Sequence, residues 1–390
     1  MSRPSLRRTP ILEGLETRQV LSAVVGPTAA QQYALQLVNF VRTDPSAAAT
    51  MFVNNITPDV QNTLNHYGLT EASLVNELNA ATPQPPLAWS DSLGASAQAQ
   101  SQYEANTGTQ THQGPGQNSL GGRISAAGYN NASSYGENTY AWANNTDEAM
   151  LSFLFDWGVA DHGHYNNIMQ PGVSAQNAYK DVGIGLVNTS NSSVGPLVIT
   201  QDFGAQQNEG PQIVGVVFND PNNTGFYAPG QGQAGVTITA VNQTTGQTFQ
   251  TTSFGSGGYK LAVAPNSAYQ VTAVENGHVI SSQTVNVSDV NASADFIHNP
   301  ANDLTPVPAP TPAPVTPTPA PAPVLTPTVG SQVIPMTVRV AAPQLLMSIP
   351  TQLEATPTQP IQAPVATPAP ATPTWLSGWS RWTASKQATN

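Results

Sequence analysis

The distribution of proline constrains this chain more than any other feature. Residues 307–328 read VPAPTPAPVTPTPAPAPVLTPT, and the same bias towards Pro, Thr and Ala returns at residues 350–374. Proline has no backbone N–H and fixes φ at about −65°, which excludes it from helix interiors and central strands. Such segments favour extended polyproline II conformations and act as spacers. We therefore expect residues 299–390 to be a disordered tail and the packed domains to precede it.

The remaining composition excludes several classes of function. The 390-residue chain has 11 Lys and Arg against 22 Asp and Glu, giving a net charge of −11, so it lacks a basic surface for nucleic acid. It has no cysteine, which excludes disulfides, thiolate metal sites and a cysteine nucleophile. No stretch approaches the roughly 18 consecutive apolar residues of a membrane-spanning helix. The absence of cysteine also favours a bacterial exported protein over an animal secreted one.

Both ends of the chain carry segments typical of proteins at a cell surface. Residues 1–27 begin with basic residues but carry acids where a secretory signal has an apolar core. Their sequence LEGLETRQVLSA resembles the LEPR-XLL type of motif at the start of many bacterial surface proteins. At the other end, Trp375, Trp379 and Trp382 would share one face of a helix, which favours weak contact with a membrane surface. We expect export to an extracellular or cell-surface location.

Residues 30–206 mix helical and strand patterns. Apolar spacing predicts helices over 30–41, in pieces across 47–78, over 87–105 and over 147–157, with a short helical turn at 123–128. Strands are predicted over 182–187 and 197–203. The pattern therefore predicts an α+β domain.

Acids and histidines are concentrated between residues 135 and 171, although only 8% of the chain is charged. Such side chains can bind metals or move protons. The alternative interpretation is a helix with acids in its first turn, followed by a polar loop. The set is Glu137, Asp147, Glu148, Asp156, Asp161, His162 and His164.

A series of short motifs across residues 28–207 resembles the CAP superfamily. In chain order they are VNFVR, PLAWSDSLGASAQAQ, THQG, YGEN, DHGHYNNIMQP, VGIGLV and ITQDFG. The superfamily includes cysteine-rich secretory proteins, antigen 5, plant pathogenesis-related proteins and bacterial SCP-like domains. The resemblance implies an α-β-α sandwich with a central antiparallel sheet and an open cleft.

The resemblance also implies a cleft with two histidines and two acids. On this sequence they are His112, Glu137, Asp156 and His164. Asp156 departs from the usual Glu by one methylene, and Glu148 is the alternative second acid. His162 is additional to the pattern.

The chemistry of this set allows more than one function. Imidazoles are good Zn²⁺ ligands and carboxylates orient them, so we expect Zn²⁺ or another divalent cation at the cleft. The alternative is a hydrogen-bonded cluster that ties loops to the sheet. Glu137 and Asp156 are the candidates for acid–base catalysis, since the sequence has no G-x-S-x-G, H-E-x-x-H or phosphate-binding motif.

We expect the cleft to bind a surface ligand, whether protein, glycan or lipid, rather than to turn over a substrate. A metal-dependent, peptidase-like hydrolase at the same cleft is the first alternative. Binding of a sterol or lipid is the second.

Residues 211–298 are predicted to form a small β-sandwich. Strands are expected over 213–218, 236–241, 249–252, 259–263, 269–274 and 282–287. The segment resembles SdrD B-like surface domains, in which a loop after the first strand binds Ca²⁺. Here Asp220, Asn222 and Thr224 keep the early ligand positions, but Ala228 and Gln231 stand where an acid is expected. We therefore expect a degenerate loop with low affinity for Ca²⁺, in a spacer or adhesion module, with carbohydrate binding as the competing role.

Overall fold

The computed structural model describes residues 26–115 and 118–298. These residues belong to one compact unit. The predictions for the export segment at residues 1–25, for the proline-rich tail and for the C-terminal tryptophans fall outside the described residues. Within the described ranges, the model contains no helix with the length and apolar character that crossing a membrane requires.

The first part of the chain alternates helices and strands. The helices are α1 (Ala29–Thr43), α2 (Pro45–Val53), α3 (Pro58–Tyr67), α4 (Glu71–Ala80), α5 (Asp91–Thr107), α6 (Leu120–Ala126), α7 (Thr146–Phe155) and α8 (Gly163–Met169). The strands are β1 (Ala88–Trp89), β2 (Ala132–Ala143), β3 (Asp181–Asn188) and β4 (Leu197–Gln206). The mixed helix and strand fold predicted from the sequence is confirmed, whereas β2 and α8 were not predicted. The helix predicted over 87–105 was wrong at its start, because residues 88–89 form β1 and α5 begins at Asp91.

Local sequence signals explain where several helices begin. Thr28, Thr57 and Thr70 each accept a hydrogen bond from a backbone N–H in the first turn of the helix that follows. Asp44 and Ser90 do the same for α2 and α5. Side-chain oxygens at these positions satisfy donors that have no partner inside the helix.

The four strands form one sheet with the order β1-β3-β4-β2. Both β2 and β3 pair antiparallel with β4, and β1 pairs parallel with β3. One face of the sheet packs on α1, α7 and α8 through apolar side chains that include Val182, Ile184, Ile199 and Phe203. The other face packs on α5. The strands are therefore sandwiched between two helical layers, and β2 lies at an edge.

Helix α5 approaches the sheet closely because β3 presents glycine to it. A Cβ atom at Gly183 would overlap the backbone of Leu93 and Gly94, and one at Gly185 would overlap the backbone of Ala97. Neither glycine has a positive φ, so the backbone conformation does not require glycine at these positions. The close packing of α5 requires it instead. They fix the distance between α5 and the sheet.

The second part of the chain consists of strands. They are β5 (Gln212–Asn219), β6 (Thr237–Asn242), β7 (Thr248–Thr252), β8 (Gly258–Ala262), β9 (Ser267–Glu275), β10 (His278–Val287), β11 (Ala292–Ser293) and β12 (Phe296–His298). One sheet has the order β10-β9-β6-β7, and in the other β5 pairs with β8, β11 and β12. Apolar side chains such as Ile213, Ile238 and Tyr269 pack in a single cluster. Strands overlap all six segments predicted from the sequence, whereas β11 and β12 were not predicted.

The backbone of the loop after β5 donates hydrogen bonds to the carboxylate of Asp220, and the loop packs on the first part of the chain. The two carboxylate oxygens of Asp220 accept hydrogen bonds from the backbone N–H groups of Thr224 and Gly225, at 2.9 and 2.6 Å. The Phe226 ring packs against Tyr33 and Phe40 of α1, with centroids 6.3 and 5.5 Å apart. The loop therefore connects the β-rich part to α1.

Further hydrogen bonds join the two parts. The side-chain amide of Asn291 donates to the backbone carbonyls of Pro86 and Lys180, at 3.1 and 2.9 Å. The ammonium of Lys260 donates to the carbonyl of Trp89 at 2.8 Å. These contacts meet at β1 and the start of β3.

The close approach of α5 predicts that Gly183→Ala destabilises the protein. The added methyl must displace backbone rather than a flexible side chain, and overpacking of this kind costs about 1–3 kcal/mol. Urea unfolding of the full-length chain measures the effect. Gly210→Ala is the matched control, because a Cβ there meets nothing within 4 Å. Equal stability of the two variants would contradict the packing argument.

Candidate functional site

The site is built around β2. Glu137 lies opposite Asp202 of β4 in the antiparallel register, and Asn138 lies opposite Gln201. Because consecutive side chains of a strand point to opposite faces, Glu137 faces the α5 layer and Asn138 faces the α7 and α8 layer. The edge of the sheet thus carries a polar group to each face.

The first histidine–acid pair lies on the α5 side. His112 Nδ1 is 2.8 Å from Glu137 Oε1. The other oxygen of Glu137 pairs with Arg123 Nη2, and Arg123 Nη1 donates to the backbone carbonyl of His112 at 2.8 Å. The side chains of Glu137 and Arg123 are buried, whereas that of His112 is 63% exposed. A buried carboxylate and guanidinium therefore position an imidazole whose other nitrogen is not used in this pair.

The electrostatics of this pair favour the charged imidazole. The hydrogen bond with Glu137 raises the pKa of His112, while partial burial acts in the opposite direction. The charges of Glu137 and Glu104 raise it further, and that of Arg123 lowers it. A raised pKa in the folded state means that the contribution of His112 to stability is fully present below its unfolded pKa. That contribution is lost as the pH rises through the folded pKa.

A cavity of about 360 Å³ opens at this pair. It is lined by His112, Gln113, Ser119, Leu120 and Glu137. The lining thus combines the His112 imidazole and the Glu137 carboxylate with the aliphatic side chain of Leu120. Asp156 and His164 do not line it.

The second pair lies beyond the C-terminal end of α7. Asp156 caps that helix with φ +50° and forms a short hydrogen bond with His164 Nδ1. Its other oxygen accepts from the backbone N–H of Tyr165 at 3.0 Å. The His164 ring packs against Phe153, with centroids 5.2 Å apart. Both oxygens of the buried Asp156 are thus occupied by the start of α8.

The other acids and histidine considered from the sequence lie elsewhere. Glu148 accepts hydrogen bonds from the backbone and side-chain nitrogens of Asn144, at 3.3 and 2.8 Å. His162 Nδ1 is 3.6 Å from the carboxylate of Glu77. Neither residue contacts His164 through a hydrogen bond that the described residues show. Asp156 is the acid paired with His164.

Two asparagines connect the pairs. Asn138 donates to the backbone carbonyl of His164 at 3.2 Å. Asn167 donates to the carbonyl of Glu137 at 3.1 Å and to the side-chain oxygen of Asn138 at 2.9 Å. The four residues implied by the resemblance therefore form two histidine–carboxylate pairs joined through amides.

Polar residues under α5, which the sequence analysis did not single out, extend the site. Asp202 is fully buried, and burial followed by the charge of Glu137 raises its pKa well above the usual range. Burial raises the pKa of Glu104 to about 7, although it accepts hydrogen bonds from Gln100 and Thr139 at 3.0 Å. A sequence signal for this polar layer was present in α5, where polar residues 96, 100 and 104 recur at helical spacing.

The donor set permits only a limited role in metal binding. Each carboxylate is engaged with an Nδ1 atom, as expected for an acid that orients a ligating imidazole through its Nε2. Within residues 26–115 and 118–298, no group of three or more His, Asp or Glu side chains is arranged to hold a metal ion. In each pair, Nε2 is the ring nitrogen that the carboxylate does not engage.

Comparison with known proteins matches part of this chain to a family. Residues 72–203 match the model of the cysteine-rich secretory protein family, CAP. No curated protein matches the chain.

Solved structures are similar to parts of this chain. An extracellular protein containing a SCP domain from Bacillus anthracis str. Ames is 20% identical with a TM-score of 0.25, and the match covers 39% of this chain and 44% of that one. The shaft pilin spaA from Lactobacillus rhamnosus GG is 11% identical with a TM-score of 0.18, covering 24% and 48%. The group B streptococcus pilus 2b backbone protein is 11% identical with a TM-score of 0.18, covering 30% and 70%. This chain spans less than half of the length of the first two.

The buried hydrogen bond to His112 predicts the effect of Glu137→Gln. The substitution removes the largest influence that raises the pKa of His112, so that pKa should fall. An NMR titration of the histidine side chains in the full-length protein measures the change. Asp156→Asn is the control, because Asp156 contacts His164 instead. An unchanged pKa of His112 in Glu137→Gln would show that the pair does not form in solution.

Proposed function

We propose, from the CAP match of residues 72–203, that this chain is an exported cell-surface protein whose domain at residues 28–207 binds a surface ligand. The observation that carries the proposal is the exposed imidazole of His112. Buried Glu137 and Arg123 hold it at the mouth of a cavity of about 360 Å³. A rigid polar group at a concave site is suited to recognition. The ligand is a protein, glycan or lipid headgroup presented at the surface.

The positions of the acids favour binding over turnover. Glu137 is engaged by Arg123 and His112, and Asp156 is engaged by His164 and Tyr165. A general acid or base must reach the substrate with an available oxygen. The oxygens of both carboxylates already have protein partners. We infer that these two acids orient the histidines rather than exchange protons with a substrate.

A hydrolase is the second candidate because of the His112 geometry. An imidazole oriented through Nδ1 by a carboxylate leaves Nε2 for proton transfer or for a metal. Binding of a sterol or lipid is the other alternative, and Leu120 is an aliphatic side chain of the cavity lining that a sterol or lipid tail would contact.

The metal remains part of the proposal. Zn²⁺ or another divalent cation would bind to Nε2 of His112 and His164, and water would complete its coordination. A site with two protein ligands binds weakly compared with the three or four ligands of closed zinc sites.

The other segments receive roles consistent with a surface protein. Residues 1–27 would direct export, and the domain at residues 211–298, which resembles SdrD B-like modules, would act as a spacer. In its loop, Asp220 is engaged by its own turn, which gives no reason to expect strong Ca²⁺ binding. Residues 299–390 would form a stalk.

Addition of Zn²⁺ to chelator-treated full-length protein tests the metal. Calorimetry should detect weak binding that falls by about tenfold or more in His112→Ala and in His164→Ala, since each removes one of two ligands. His278→Ala is the control, because this exposed histidine lies in β10. Binding that persists in both site variants would rule out this pair of ligands.

Assays of the full-length protein against peptide, ester and peptidoglycan substrates test the choice between binding and turnover. We expect no turnover, with or without Zn²⁺, because both carboxylates are buried and engaged by protein groups. His66→Ala and His112→Ala are assayed in parallel. Hydrolysis that disappears in His112→Ala and persists in His66→Ala would establish the hydrolase and refute the binding role.

A further inference from the structure

An exposed tryptophan on β2 has an unusual backbone conformation. Trp142 is 47% exposed and has φ +68°. It lies in an irregularity of the β2–β4 pairing, where the register shifts between Tyr140 and Ala143. A bulky residue with positive φ is uncommon, and such strain tends to occur at functional sites.

The neighbouring loop holds the indole in place. The backbone N–H of Trp142 donates to the carbonyl of Val194, and its indole N–H donates to the carbonyl of Ser193, both at 2.8 Å. The indole has one hydrogen-bond donor, and it is used internally. The exposed surface of this residue is therefore the aromatic ring itself, in a fixed orientation.

Other aromatic rings continue from Trp142 across this surface. Tyr140 lies edge-on to Trp142 and to Trp157, with centroids 6.5 and 6.1 Å apart. Gly158, next to Trp157, packs on Tyr67, whose ring would lie 3.0 Å from a Cβ atom at Gly158. Tyr67 is 43% exposed. We call Trp142, Tyr140 and Tyr67 the aromatic platform.

The charges of the described residues indicate a neutral ligand. The described residues include four Lys and Arg side chains, and each already has a hydrogen-bond or ion-pair partner. The pairs are Arg42 with Ile168, Arg123 with Glu137, Lys180 with Glu209 and Lys260 with Trp89. Beside the platform, Asn144 binds the carboxylate of Glu148 at 2.8 Å. An anionic polymer would meet an acid here rather than a free cation.

We propose that the aromatic platform binds a neutral saccharide chain. The C–H faces of pyranose rings stack on the exposed rings of Trp142 and Tyr67, and amides such as Asn144 accept sugar hydroxyls at the rim. This site is separate from the His112 cavity and does not depend on the function proposed for that cavity. It would give the protein a second attachment point on a carbohydrate surface.

Selective ¹⁵N-tryptophan labelling of the full-length protein tests the proposal. Cellohexaose, maltohexaose and chitohexaose are added separately, and the indole N–H signal of Trp142 is followed. We expect at least one of these sugars to shift that signal in a saturable manner, without shifting that of buried Trp89. Calorimetry with the responding sugar then compares variants.

Trp142→Gly should reduce the affinity by about tenfold or more, because the stacking ring is lost. Glycine tolerates positive φ, so this variant should stay folded, as circular dichroism will show. Trp142→Phe keeps a ring and should retain most of the affinity. His278→Ala, at an exposed residue of β10, should bind as tightly as the wild type.

Three results would overturn the proposal. The first is that none of the sugars shifts the Trp142 signal. The second is that Trp142→Gly binds the responding sugar as tightly as the wild type. The third is a shift produced by a synthetic peptide of residues 307–328 or by phosphatidylcholine vesicles, but by no sugar. That result would assign the platform to a proline-rich segment or to a lipid surface.

Discussion

The antiparallel pairing of β2 with β4 determines which helical layer each polar side chain of β2 reaches. It places Glu137 opposite Asp202 and Asn138 opposite Gln201, so one strand serves both helical layers. A shift of one residue would turn Glu137 into the apolar layer and separate it from Arg123. Because β2 is an edge strand, the carbonyl of Glu137 is also free to accept from Asn167. The register thus places Glu137 beside His112 and Asn138 beside the backbone carbonyl of His164.

Burial of acids under α5 makes this arrangement sensitive to pH. Glu104, Glu137 and Asp202 share the layer with one guanidinium, that of Arg123, so their negative charges cannot all be balanced there. Burial raises the pKa of Glu104 from 4.5 to about 7. The folded state therefore binds more protons than the unfolded chain between these values, and Glu104 reduces stability as the pH rises through that range. Glu104 also accepts a hydrogen bond from the backbone N–H of Thr111, the residue before His112, at 3.2 Å.

Much of the fold could be predicted because β3 and β4 carry apolar runs and the helices begin at visible caps. Strand β2 was missed because residues 137–139 are buried on both faces although they are polar. The apolar residues of α5 mark its packed face only in part. Ala99 is exposed, and the helix instead buries Gln100 and Glu104 against polar strand residues. Periodicity identifies apolar faces, and a buried polar layer does not produce that signal.

The same physical limit explains the site. His112 and Glu137 could be matched to motifs in order, but the motifs contain no information about which nitrogen meets which oxygen. The structure shows both carboxylates bound to Nδ1, and this converts a presumed four-residue cluster into two pairs. It also shows that Asp220 serves its own turn while Phe226 packs on α1. In each case the acid orders local structure, and the side chains left exposed include the His112 imidazole and the Trp142 ring.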